Sequence, residues 1–246
     1  MHDDLAADVV AADVAEDDGA MAALASLGDP LRRRLYRFVS GQDHAVGRDE
    51  AAEGVGISRS AAAFHLDRLV DDGLLEAEFR RLTGRQGPGA GRPAKLYRRV
   101  TREISVSLPP RRYELAASLL AAAVSEATGT GTPLHVALER LARDRGAHMA
   151  RTVVRHAGRR TSQAALAGAA AEALAAEGYE PRAGRGEIVL GNCPFSSIVA
   201  DQPELVCRMN LALLEGFSAA LPAGRVTARF RPTQGACCVR LELGTS

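Results

Sequence analysis

The sequence predicts an α+β chain: short helices closed by a basic hairpin, then long helices closed by a small antiparallel sheet. Three observations carry that prediction. Apolar residues recur at helical spacing in blocks bounded by caps, as in Leu24, Leu27, Leu31, Leu35 and Val39. Short β-prone runs fall late in each half, 74–81 and 95–100 in the first, then 186–190, 225–230 and 236–243. The hydrophobic fraction is 46% but aromatics are only 4%, with no Trp, so the core is Ala, Leu and Val, a composition that favours helices.

Within the first half, Asp29-Pro30 reads as a helix start, Asp capping and Pro at the first helical position. A short helix fits Arg48 to Gly54, and Gly56 breaks it. Ser58 caps a second helix, Arg59 to Asp72, stopped by Gly73. Two strands, Leu74 to Arg81 and Lys95 to Val100, flank a Gly- and Pro-rich loop. Ser107-Leu108-Pro109-Pro110 is a linker. Beyond it come helices at Tyr113 to Glu126, Pro133 to His156 and Ser162 to Ala176. A strand at Gly186 to Leu190, a turn-rich stretch around Cys193, a helix from Pro203 to Ala220 and two strands, Arg225 to Phe230 and Ala236 to Leu243, complete the chain. The expected division is an acidic arm over 1–19, a DNA-binding domain over 20–104 and a dimerisation and sensor domain over 105–246.

The arm holds Asp3, Asp4, Asp8, Asp13, Glu16, Asp17 and Asp18 and no Lys or Arg, the composition of a disordered segment and not of a secretory signal. No run approaches the ~18 apolar residues of a membrane span. The expected location is cytoplasmic, where thiols stay reduced, so the four cysteines read as metal ligands or buried thiols and not as disulfides. Net charge is +1 and decides nothing; its distribution does.

Two helices joined by a tight turn, followed by a basic hairpin, form the winged helix-turn-helix arrangement that enters a major groove. Ala62, Leu66 and Leu69 form the inner face of the second helix. Arg59, Ser60, Ala63, Phe64, His65 and Arg68 fall outside that stripe, with types and positions suited to base edges and phosphates. The hairpin adds Arg80, Arg81, Arg85, Arg92, Lys95, Arg98 and Arg99 with no acid between Phe79 and Arg99; Arg92 and Lys95 are its expected DNA contacts. The bland alternative is an ordinary solvated basic hairpin. The expected partner is a double-stranded DNA operator. An apolar side at Leu115, Leu119, Ala122 and Ala123 suits a homodimer, which doubles the contacts.

Every cysteine lies in the last quarter: Cys193 after a strand, Cys207 in the first turns of a helix, Cys237 and Cys238 adjacent near the end. Neighbours on a strand face opposite ways. Val239, Leu241 and Leu243 share the face of Cys237, so Cys193, Cys207 and Cys237 are the expected metal ligands and Cys238 the outsider. Three thiolates suit a soft metal or an iron–sulfur cluster. Small buried apolar thiols are the bland reading. No His or Asp stands where it would orient a nucleophile, so no enzyme is expected; a thiol enzyme using Cys193 is the remote alternative. A regulator that senses a small organic ligand, its cysteines merely structural, is the nearer one.

The segments Leu27-Gly28-Asp29-Pro30-Leu31-Arg32-Arg33-Arg34-Leu35, Gly56-Ile57-Ser58-Arg59-Ser60, His65-Leu66-Asp67-Arg68-Leu69, Asp72-Gly73-Leu74 and Gly91-Arg92-Pro93-Ala94-Lys95-Leu96-Tyr97 resemble the ArsR-type winged helix over roughly Met21 to Thr101. Asn192-Cys193-Pro194-Phe195, Pro203-Glu204-Leu205-Val206-Cys207 and Gly235-Ala236-Cys237 are similar to the sensor domain of SufR-type iron–sulfur repressors. That resemblance implies a homodimeric repressor whose cluster decides DNA binding. The chain departs from it in lacking a cysteine between Cys207 and Cys237 and in carrying Ser196 and Ser197 where many relatives have a His.

Overall fold

The computed structural model describes residues 19–81, 93–157, 162–184, 186–222 and 225–244. The acidic arm through residue 18 and the hairpin loop with Arg85 and Arg92 lie outside the described residues. The chain divides into two compact units between Val106 and Ser107.

In the N-terminal unit, residues 19–26 are helical (α1). Helix α2 spans Pro30–Ser40, and the Asp29 carboxylate accepts from the backbone N–H of Leu31 and Arg32, as the Asp-Pro start predicts. Helices α3 (Arg48–Val55) and α4 (Arg59–Asp71) follow. Gly56 between them adopts φ 70, a left-handed conformation that glycine takes without steric cost. Ser58 caps α4 by accepting from Ala61 N–H. A sheet in the order β1 (Val46–Gly47), β3 (Ala94–Arg99), β2 (Leu75–Arg80) closes the unit. Leu35, Val39, Ala51, Val55, Ala62, Leu66, Leu69, Leu75 and Tyr97 form its core.

The C-terminal unit holds α5 (Tyr113–Thr130), α6 (Leu134–Ala157), α7 (Gln163–Ala176), α8 (Ser196–Asp201) and α9 (Pro203–Ala220). Its antiparallel sheet runs β4 (Pro181–Ala183), β5 (Glu187–Leu190), β7 (Val239–Leu243), β6 (Val226–Phe230). Among the described residues, no helix is long and apolar enough to cross a membrane. Helices α6 and α9 pack on each other, and Ile188, Leu190, Val239 and Leu241 face the same core from the sheet. Leu119 and Ala123, from the face expected to serve dimerisation, are buried in this core. Three elements were not anticipated: β1, β4 and the short helix α8 inside the turn-rich stretch. The expected strand from Ala236 begins only at Val239, so Cys237 and Cys238 both precede it.

Candidate functional site

Two places concentrate chemistry, one in each unit. In the N-terminal unit the inner face of α4 is as the sequence predicts: Ala62, Leu66 and Leu69 are fully buried. Arg59, Ser60, Phe64 and Arg68 are exposed, while Ala63 and His65 are half-buried. The Arg59 guanidinium meets the Asp49 carboxylate at 2.8 Å. Arg68 donates to Asp72 one turn on, at 3.1 Å. The Phe64 ring stands edge-on to His65, centroids 5.2 Å apart. His65 Nδ1 is enclosed, and the ring lies near enough to Asp29 to help hold that carboxyl below its ordinary range, after the hydrogen bond from Arg32 N–H. His65 is thus turned at least partly toward its own domain.

A groove of about 830 Å3 opens between α3, the start of α4 and the hairpin. Its lining includes Arg48, Arg59, Arg80, Lys95 and Phe79, the last an exposed aromatic that sequence reasoning passed over. Lys95 is not a free cation: its Nζ donates to Asp67 at 2.6 Å. Arg98 donates to Glu78 across the β2–β3 pair at 2.9 Å. The hairpin charge counted from sequence is therefore partly neutralised by Glu76 and Glu78, which lie just ahead of the acid-free stretch.

Asp67 is the hub of this surface. It accepts from Lys95 Nζ, from Tyr97 Oη at 2.6 Å and from Arg48 at 3.4 Å, so one carboxylate ties α4 to β3 and α3. Tyr97 is buried, and its hydroxyl also accepts from Arg48 Nε at 3.0 Å. Burial, and then the Asp67 carboxylate, push the Tyr97 phenol up to about 12. A pKa raised on folding means that the folded state holds its proton more tightly. The associated stability is complete below about pH 10, the unfolded value, and is lost as pH rises toward 12. That rise corresponds to at most about 2–3 kcal/mol. The N-terminal unit is expected to lose that much between pH 10 and 12, and Tyr97→Phe to flatten that limb, measured by urea denaturation across the window.

In the C-terminal unit all four cysteines are free thiols. Cys193 lies between β5 and α8, Cys207 on the first turns of α9, and Cys237 and Cys238 just ahead of β7. The β5–β7 register pairs Ile188 with Leu241, and Cys237 N–H continues it by donating to Leu190 O at 2.9 Å. That pairing brings Cys237 beside the Cys193 loop. Cys193, Cys237 and Cys238 pack on the same core, and the four thiols lie near enough to perturb one another's titration. Parity correctly places Cys237 inside, at 2% exposure. Cys238 sits in a bend ahead of the strand and is half-buried against the same core.

Hydrogen bonds from Cys193 and Cys238, with help from Val239 N–H and Asn210, hold the Cys237 thiol well below its ordinary pKa. The same bonds, with burial, push Cys193 and Cys238 up. Asn210, on α9, is wholly buried; its Nδ2 donates to Cys237 Sγ at 3.1 Å and its Oδ1 accepts from Tyr179 Oη at 2.6 Å. Neither Asn210 nor Tyr179 was singled out from sequence; a polar residue inside an apolar helical run was the available signal. Among the described residues, no three His, Cys, Asp or Glu side chains are arranged around a point that would hold a single metal ion.

Residues 27–78 match the family model described as a helix-turn-helix domain. No curated protein and no solved structure matches the chain. The match covers α2 to β2, the elements that present the α4 surface. The chain thus carries a helix-turn-helix domain, which supports a DNA-binding regulator.

Proposed function

We propose that this protein is a homodimeric transcriptional repressor, of the SufR-like branch of ArsR-type regulators, whose operator affinity depends on an iron–sulfur cluster held by its C-terminal cysteines. The observation that carries the proposal is that free thiols from a loop, a helix and the turn ahead of β7 lie near one another, three of them against one core. The donor set fits the group: sulfur ligands, a buried site and an N–H donor to sulfur from Asn210. Cys193, Cys207 and Cys237 would hold the cluster, with Cys238 as the fourth thiol. The cluster would supply sensitivity to oxygen and iron. The protein residues tie β5, α9 and β7 to that occupancy.

On the DNA side, Arg59, Ser60, Ala63, Phe64 and Arg68 are the proposed contacts from α4. Lys95 acts chiefly by fixing Asp67, and His65 contributes least, being half turned inward. Arg92 keeps its role from sequence alone. A small organic ligand is the second reading; a hollow near α6 and α9, lined by His135, Glu139, Arg208 and Met209, measures about 240 Å3. Drug-sized ligands occupy roughly 300–1,000 Å3.

The test is anaerobic purification with iron and acid-labile sulfide analysis, followed by operator titration before and after exposure to air. Loaded wild-type protein is expected to bind about 5–150-fold more tightly than cluster-free protein. Ser variants of Cys193, Cys207, Cys237 and Cys238 are expected to lose that difference. Arg59→Ala and Arg68→Ala should each cost about 1–3 kcal/mol of binding in both states. Wild-type protein without iron or sulfide in any preparation sinks the cluster reading. Unchanged DNA binding in both Arg variants sinks the α4 surface.

A further inference from the structure

Beside the thiol group lies a second polar assembly. The chain enters the C-terminal unit through residues 107–112. Asn192, next to Cys193, is 7% exposed and uses its whole side-chain amide. Its Nδ2 donates to Pro110 O at 3.1 Å and to Gly178 O at 2.6 Å, and its Oδ1 accepts from Arg111 Nη1. The same Arg111 nitrogen reaches the carbonyl oxygen of Cys193 itself at 3.1 Å. Arg112 N–H donates to Pro194 O at 3.0 Å. The Arg112 guanidinium donates to Ala176 O, and the Tyr113 and Ser197 hydroxyls bond to each other.

Entry segment and cysteine loop therefore share a continuous run of bonds from Pro110 to Tyr113 on one side and from Asn192 to Ser197 on the other. A surface linker has no need of this: its polar groups can be satisfied by water. A buried amide with three protein partners is also a costly feature to lose.

We propose that Arg111 and Asn192 are positioning residues that couple the state of the Cys193 thiol to the segment leading back to the helix-turn-helix unit. The coupling rests on the thiol-site reading above, though not on an iron–sulfur cluster as its occupant. When a thiophilic group draws the Cys193 sulfur toward Cys207, Cys237 and Cys238, the Cys193 backbone is held, and Asn192, Arg111 and Arg112 are held with it. When the thiols are released, the loop gains freedom and the entry segment shares it. The segment is then a two-state element that thiol occupancy biases, which linkage requires of any coupling between separate sites.

The probe is Cd2+ alone, added to the metal-free full-length chain, with loading followed by thiolate-to-metal ultraviolet absorption. Amide hydrogen exchange is read by mass spectrometry in peptides spanning residues 107–115. Cd2+ is expected to slow exchange there by about 5–150-fold in wild type. In Arg111→Ala the slowing should fall below about a third of the wild-type factor with Cd2+ stoichiometry unchanged, and Arg111→Lys should restore part of it. Loading without any change at 107–115 in wild type overturns the proposal, whatever the variants do. A full wild-type response in Arg111→Ala overturns the role of Arg111. Failure of Cd2+ to load overturns this proposal together with the thiol site. Cd2+ loading in a protein that never holds iron or sulfide leaves the coupling standing and removes only the cluster reading.

Discussion

Gly146→Ala and Gly216→Ala are each expected to destabilise the C-terminal unit by at least about 2–3 kcal/mol, with a fall in Tm of at least about 5 °C. Both glycines sit at the crossing of α6 and α9. A Cβ added at Gly146 would lie 1.8 Å from Leu213 O and 2.8 Å from Phe217 N. One added at Gly216 would lie 2.0 Å from Arg143 O. These neighbours are backbone atoms, so no rotamer change relieves the overlap and the helices must part. Replacing Gly by Ala in a helix interior contributes about 0.5–1 kcal/mol in the opposite direction. Overpacking in a dense core costs about 1–3 kcal/mol, occasionally more, and contacts this short belong at the upper end. Gly168, on an exposed part of α7, has nothing within 4 Å of its added Cβ. Gly168→Ala is the control and should stabilise by up to about 1 kcal/mol. Thermal melts followed by circular dichroism compare the three. A Tm at or above wild type for Gly146→Ala would show that the crossing is looser than described. Since α9 carries both Cys207 and Asn210, parting it from α6 should also disturb the thiol group.

What the sequence made legible was local. Asp29-Pro30, Gly56 and Ser58 act within three or four residues of themselves, and the caps they predict are present. The inner face of α4 follows from helical period alone. Strand β1 has two residues and takes its identity from Leu96 and Tyr97 opposite it, almost fifty positions away, so no local signal marks it. Asp67 is unremarkable in sequence because its partners Lys95 and Tyr97 lie 28 and 30 residues on. The cysteines were recognised as a group from type and placement, but Cys238 was set aside by alternation carried past the end of the strand. Alternation holds only where a ladder enforces it.

Asn210→Leu is the second large effect, expected at about 2–5 kcal/mol. Asn210 is fully buried and bonded at both ends, to Tyr179 Oη and to Cys237 Sγ. Leucine keeps the branched skeleton, with bulkier methyl ends, and removes both bonds. It leaves the Tyr179 hydroxyl enclosed without its acceptor and Cys237 without its amide donor, each worth about 1–3 kcal/mol when buried and unmatched. Tyr179→Phe alone strands the Asn210 Oδ1 instead, so it too should cost about 1–3 kcal/mol. The double variant then separates mechanism from volume. If the penalty of Asn210→Leu is largely the stranded hydroxyl, adding Tyr179→Phe should recover at least about 1 kcal/mol, a coupling within reach of a double-mutant cycle. Strict additivity would mean that the bond between the two side chains carries no weight. The thiol side has its own readout. The Asn210 amide is one of the donors that lower the Cys237 pKa. Asn210→Leu should therefore weaken Cd2+ binding to the thiol group, whereas Tyr179→Phe, which leaves the Asn210 amide nitrogen in place, should leave it nearly unchanged. Equal loss of Cd2+ affinity in both variants would assign the effect to general loosening of the core rather than to the N–H donor on sulfur.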